Sequence, residues 1–257
     1  MKIALVTGAA SGLGKAIAAR LIADGMHVVV ADINQHGIDA TLKEFQADTP
    51  HASGYQVDVS RRDEVQAMAE EITRKLGRID VLVNNAGITR YAPFPEAADE
   101  AWDPVLSIDL KGVFYCCQAV APVMKAQGAG KIINISSAAG TGTTPHHAAG
   151  SPGGSSAYAS AKAAVIQLTK TLAREVGPSG INVNCVAPGF FLTPLTYSTR
   201  TPEQVDEHVR VRAEATVLKR SGSLSELAAA VSFLASDGAS FITGHTIPVD
   251  GGRTDRM

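Results

Sequence analysis

The stretch from Lys2 to Gly14 limits what this chain can fold into more than any other. Lys2-Ile3-Ala4-Leu5-Val6 is a short apolar run of β-forming residues, and it leads without pause into Thr7-Gly8-Ala9-Ala10-Ser11-Gly12-Leu13-Gly14. After the turn, Ile17, Ala18, Leu21 and Ile22 recur at helical spacing until Gly25, a C-terminal stop. The unit reads strand, tight glycine loop, helix. That order is what holding a pyrophosphate requires. Gly8 can take backbone angles closed to other residues, Gly12 lets the main chain approach phosphates, and Gly14 lets the helix pack closely on the strand. The free N–H groups of the helix start then face the anion. Gly8 and Gly12 have three residues between them rather than the single residue of the commonest dinucleotide fingerprint, so the loop alone also fits a plain tight turn. Asp32 strengthens the nucleotide reading. It ends the second apolar run, Val28-Val29-Val30-Ala31, where a carboxylate can accept hydrogen bonds from adenosine ribose hydroxyls.

A chain of 257 residues with 45% hydrophobic residues can bury one sizeable core, so a single domain over 1–257 is expected. The net charge of −2 and the lack of any basic run argue against nucleic acid or an anionic membrane surface as partner. Only four apolar residues follow Lys2 before Thr7, too few for a secretory core, and no stretch reaches membrane-spanning length; the expected location is the cytoplasm. Three cysteines, with Cys116 and Cys117 adjacent, offer neither a disulfide framework nor a CxxC metal pair, and read as buried thiols.

Short β-type runs near 3–6, 27–31, 54–57, 80–83, 131–135, 181–186 and 245–249 alternate with helical patterns. This alternation predicts a parallel sheet with helices on both faces, whose strand ends meet at one ligand-binding edge. Asp58 and Val59 lie at that edge after the third run, where Asp58 can reach an adenine, although a helix cap explains it as cheaply and Ser60 is the more obvious cap. The fourth run ends in Asn84-Asn85-Ala86-Gly87, a turn that must satisfy its own backbone groups. A helix is expected from about Ala98 to Lys125; it contains Asp109, which on pattern alone is solvated or paired with a lysine at short range. The fifth run delivers Ser136 and Ser137. Then comes a polar loop from Thr141 to Ser156 that fits neither helix nor strand. In the next helix Tyr158 and Lys162 are four residues apart, hence on one face, among small alanines. The sixth run ends in Pro188-Gly189, and a charged segment near 190–217, helical from Pro202, reads as a cover over the sheet edge.

Taken together these stretches resemble the short-chain dehydrogenase/reductase family from Lys2 to about Gly252. Five signatures fall in order: the TGxxxGxG loop of Thr7 to Gly14, the NNAG turn of Asn84 to Gly87, the serine of Ser136-Ser137-Ala138-Ala139-Gly140, the pair Tyr158 and Lys162, and Pro188-Gly189 followed by Thr193. The resemblance implies a Rossmann-type doubly wound α/β fold of about seven strands and hydride transfer between a nicotinamide and a carbinol or carbonyl carbon. It assigns Tyr158 as general acid or base and Ser137, rather than Ser136, as the hydrogen-bonding partner of the substrate oxygen. Lys162 is expected to hold the nicotinamide ribose, Thr193 and the backbone after Pro188 the carboxamide, and Ser11, Leu13, Asn85 and Ala86 to complete the cofactor site. Relatives usually assemble as homotetramers. A usable phenolate near neutrality needs a phenol pKa lowered by roughly 2–3, with Lys162 and the cationic ring as the available charges.

Two departures stand out. Asp109 occupies the place where many members have an asparagine that anchors a water beside the lysine, and it is expected to keep that role. The separation of Ser137 from Tyr158 is also longer than usual. His146 and His147, within that insertion, read as solvent-facing, and no metal is expected.

Asp32 would repel a 2′-phosphate, and neither Ser11 nor Ile33 is basic, so NAD is expected over NADP. The substrate reading is a secondary alcohol or ketone such as a polyol, sugar or hydroxy acid. A 3-oxoacyl thioester (acyl-carrier-protein) reductase is the alternative within the class, marked by NADPH preference and activity on acyl-carrier substrates. A non-catalytic dinucleotide-binding regulatory protein is the alternative outside it. Arg90, Arg200 and Arg210 read as surface arginines rather than an anion clamp.

Overall fold

The computed structural model of the chain describes residues 1–46, 51–142, 154–193 and 201–253. Its strands are β1 (Ile3–Thr7), β2 (His27–Asp32), β3 (Ala52–Gln56), β4 (Val81–Asn84), β5 (Gly130–Ile135), β6 (Ile181–Pro188) and β7 (Thr246–Val249). They form one parallel sheet in the order β3-β2-β1-β4-β5-β6-β7. The winding direction reverses between β1 and β4, which opens a crevice beyond their carboxyl ends.

The helices are α1 (Gly12–Ala23), α2 (Gln35–Gln46), α3 (Arg62–Leu76), α4 (Asp99–Leu106), α5 (Val113–Gln127), α6 (Ser156–Val176), α7 (Pro202–Glu214) and α8 (Leu224–Ala235). Period-2 alternation sends Leu5 to one face of the sheet and Ala4 and Val6 to the other. On the first face Leu5, Val29, Leu82 and Ile132 meet Met68, Val120, Met124 and Val165 from α3, α5 and α6. On the second, Val6, Val28, Val30 and Ile133 meet Ile17, Leu21, Leu227 and Val231 from α1 and α8. Because both faces are covered, the central strands read as continuous apolar runs.

Three local expectations change. The helix expected from Ala98 to Lys125 is interrupted by a π-helical turn over Ser107–Gly112, between α4 and α5. Asp109 sits in that turn with no exposed surface, and the adjacent Lys111 faces solvent. Ser60 does not cap α3; the N-cap position is Arg61, and Ser60 instead donates to Asp58 Oδ1 through its N–H at 2.9 Å and its hydroxyl at 2.7 Å.

All three cysteines are free and buried. Among the described residues no helix is long and apolar enough to cross a membrane, and no group of three His, Cys, Asp or Glu could hold a metal ion. His146, His147 and most of the 141–156 insertion lie outside the described residues, as do Arg200 and positions 194–200 of the expected covering segment. The rest of that segment includes α7, whose start is fixed by a capping box between Thr201 and Gln204.

Candidate active site

A cavity of about 600 Å³ runs along the carboxyl ends of the strands, within the usual size for a cofactor or small-ligand site. Of the residues expected to bind or act on a ligand, all but Gly14 line it. Gly14 works one layer below. A Cβ there would lie 2.1 Å from the Gly8 carbonyl oxygen and 2.5 Å from Asn85 Nδ2, so only glycine lets α1 seat this closely against the loop. Gly12 opens α1 at φ +55°, and the side chain of Ser11, at the N-cap, makes no capping bond. The helix start is therefore left to meet an anion in the cavity.

Asp32 ends β2 at the same end of the cavity. Its Oδ2 accepts the Ala10 N–H and its Oδ1 the Asn34 N–H, each at 3.0 Å. A carboxylate offers about four lone-pair sites, so two remain for ribose hydroxyls. Asp58 and Val59 line the wall beside it. An open helix start, a carboxylate ready for a diol and a long cavity fit a dinucleotide.

The two asparagines of the turn reach outward rather than satisfying their own backbone. Asn85 Nδ2 donates to the carbonyls of Thr7 and Gly8 at 3.0 Å each, and Thr7 Oγ1 accepts the N–H groups of Asn85 and Ala86 at 3.1 Å each. The turn thus staples β4 to the glycine loop. Asn84, buried, donates to Asn134 Oδ1 at 2.9 Å; Asn134 donates to Thr169 Oγ1 at 2.9 Å. This polar ladder ties β4 and β5 to α6, the helix that carries Tyr158 and Lys162.

At the other end of the cavity the two serines separate. Ser136 is buried and donates to the Lys162 carbonyl at 2.7 Å, which pins β5 to α6. Ser137 faces the cavity, and its Oγ accepts the Ala139 N–H at 3.1 Å. Its hydroxyl also favours the ionised form of the Tyr158 phenol. Lys162 Nζ lies 5.6 Å from the centre of the Tyr158 ring, donates to the Ile135 carbonyl at 3.0 Å and pairs with Asp109 Oδ2 at 3.1 Å. The other Asp109 oxygen accepts the Ile88 N–H at 2.9 Å. The partner of Asp109 is therefore Lys162 across the fold, not a lysine nearby in sequence.

Opposing influences from the protein's own groups meet at the phenol. Burial pushes Tyr158 above its ordinary value; Lys162 pulls it down, but Asp109 pushes it up again. Lys162 itself stands above its usual range: burial would lower it, and the Asp109 and Tyr158 oxygens more than offset that.

Residues from the covering side join the cavity as well. His208 and Arg212, four apart on α7, line it together with Arg253, and His208 packs edge-on to Phe190 at 5.2 Å between ring centres. The spacing of His208 and Arg212 was available in the sequence as one helix face. Arg253 had no local signal, because only the return of the chain after β7 brings it here. Arg210 points away, held by Glu207 and Glu214 at 2.7 and 3.1 Å, and Arg90 is exposed.

A family profile described as Enoyl-(Acyl carrier protein) reductase matches residues 8–254. The chain is 42% identical over 251 residues to the 3-oxoacyl-(acyl-carrier-protein) reductase FabG of Thermotoga maritima, covering 98% of this chain and 97% of that one. It is 41% identical over 254 residues to the protein of the same name from Staphylococcus epidermidis, covering 98% of both. A solved structure described as ribose-5-phosphate isomerase from Brucella melitensis 16M matches with a TM-score of 0.85 at 40% identity, over 98% of this chain and 91% of that one.

Proposed function

This chain belongs to the short-chain dehydrogenase/reductase family, and we propose that it reduces the 3-oxo group of an acyl thioester, with NADH as its nucleotide. The observation that carries the substrate class is the near full-length identity to two 3-oxoacyl-(acyl-carrier-protein) reductases, 42% and 41%. The observation that carries the nucleotide is Asp32, whose carboxylate accepts diol hydroxyls and repels a phosphate on the same ribose.

In this reading Ser137 holds the ketone oxygen and Tyr158 gives it a proton. When bound, the nicotinamide supplies the hydride that reduces the carbonyl carbon. The proton leaves Tyr158 Oη for the carbonyl oxygen, and the phenolate left behind is stabilised by the Lys162 ammonium 5.6 Å from the ring centre. Gly8, Gly12 and the open start of α1 take the pyrophosphate; Pro188, Gly189 and Thr193 border the nicotinamide end.

Asp32 also favours a second reading, NAD-linked dehydrogenation of a small secondary alcohol such as a polyol, sugar or hydroxy acid. Turnover separates the two. Acetoacetyl-CoA should be reduced with NADH, at a kcat/KM well above that for polyols or hydroxy acids with NAD, and Tyr158→Phe should lower the activity by about 10²–10⁴. Oxidation of small alcohols without thioester reduction would establish the second reading instead. Tight NADH binding with no turnover on either panel would leave a dinucleotide-binding protein without catalysis.

A further inference from the structure

The buried pair of Asp109 and Lys162 does more than hold a helix in place. Asp109 has no exposed surface and Lys162 is 3% exposed, and they meet at 3.1 Å, with Lys162 Nζ 5.6 Å from the centre of the Tyr158 ring. Gly87 lies directly over them: a Cβ there would be 2.7 Å from Asp109 Oδ2 and 3.3 Å from Lys162 Nζ. The carboxylate is fixed from behind by the Ile88 N–H, and the ammonium by the Ile135 carbonyl. The π-helical turn of Ser107–Gly112 places Asp109 at this point, and α6 places Lys162.

We propose that Asp109 is a positioning residue that keeps Tyr158 in its acid form: its carboxylate ties down the Lys162 ammonium and cancels much of the positive charge that would otherwise draw the proton off Tyr158. A phenol that keeps its proton is the acid a carbonyl reduction needs, whereas alcohol oxidation needs the phenolate. The groups facing Tyr158 and Lys162 come from each packed element: Asp109 from the π turn, Ser137 from the end of β5, Cys185 from β6 and Tyr91 from the segment after β4. Of these, only Asp109 is a carboxylate. With it, the Asp109–Lys162–Tyr158 cluster is neutral while the phenol is protonated; without it, the same cluster carries a net positive charge, and its first proton leaves at lower pH.

The direction of the effect rests on the proposed Tyr158 chemistry, but the closing experiment does not depend on the substrate. Ultraviolet difference titration of the protein, with Tyr158→Phe as the blank, reads the Tyr158 phenolate directly. In the wild-type protein that signal should appear above about pH 10. In Asp109→Asn, which keeps an acceptor for Ile88, the midpoint should fall by about 1–2 pH units. Asp109→Ser should move it the same way and serves if the asparagine variant folds poorly.

In turnover, the alkaline limb of kcat/KM for reduction should move down equally. Once the limb lies below the assay pH, reduction should lose about tenfold in kcat/KM for each further pH unit. A wild-type phenolate signal below the ordinary tyrosine range overturns the proposal. So does an unchanged or raised midpoint in both variants, or a proton lost from the cluster without phenolate absorbance, which would assign it to Lys162. Failure to reduce acetoacetyl-CoA, with the change in titration midpoint intact, would instead remove the thioester reading and leave the role of Asp109 standing.

Discussion

On the proposed reading Tyr158 carries the chemistry and Asp32 the choice of nucleotide, and each gives a prediction at residue scale. Tyr158→Phe removes only the hydroxyl, so kcat should fall by about 10²–10⁴ while NADH affinity is retained, as measured by stopped-flow turnover and fluorescence titration. If Asp32 sets nucleotide choice as proposed, NADH should bind at least tenfold more tightly than NADPH, about 1.4 kcal/mol, and Asp32→Ser should erase most of that difference in calorimetric titration. Equal affinities in the unmodified protein would remove the argument from charge. Asp32 was legible from its place at a strand end; Tyr158 shares a helix face with Lys162, but its role was legible only through the family resemblance. The direct pairing of Asp109 was not legible in spacing; only the resemblance set it beside the lysine. Its separation from Lys162 carries no period, and only the π turn rotates the carboxylate inward.

At the scale of elements, what holds α6 against the sheet is partly polar. The ladder Asn84, Asn134, Thr169 is buried throughout and closes on the α6 backbone, since Thr169 Oγ1 donates to the Val165 carbonyl at 2.8 Å. Thr169→Val keeps the shape and leaves the Asn134 amide without its acceptor. The expected cost is about 1–3 kcal/mol in urea unfolding, with an increase in KM if the tilt of α6 changes. An unchanged unfolding midpoint would show that Asn134 finds another partner. The strands and most helices were readable from apolar periodicity. The roles of Asn84, Asn85 and Ser136 were not, because their partners lie on other strands and helices. A turn rich in asparagine looks self-contained in sequence, and here it is the staple between β4 and the glycine loop.

Considered as a whole molecule, the cavity draws its walls from nearly every part of the chain, from Gly8 to Arg253, so a ligand that fills it should stabilise the entire fold. At a hundredfold excess over its dissociation constant a nucleotide adds about 2.7 kcal/mol, or roughly 5–10 °C in Tm for a chain of this length. NADH should give a larger rise than NADPH at equal concentration in a thermal melt; the reverse order would contradict the role of Asp32. By itself the sequence determined the parallel α/β class and the glycine loop, because both are written in short-range spacing and period; the roles proposed for Tyr158, Lys162 and Ser137 came from the family resemblance. Only the tertiary structure decided which charges face one another. Electrostatic coupling depends on distance and burial, and those are settled when α4, α5 and α6 close over the strand ends and shut Asp109 and Lys162 away from water.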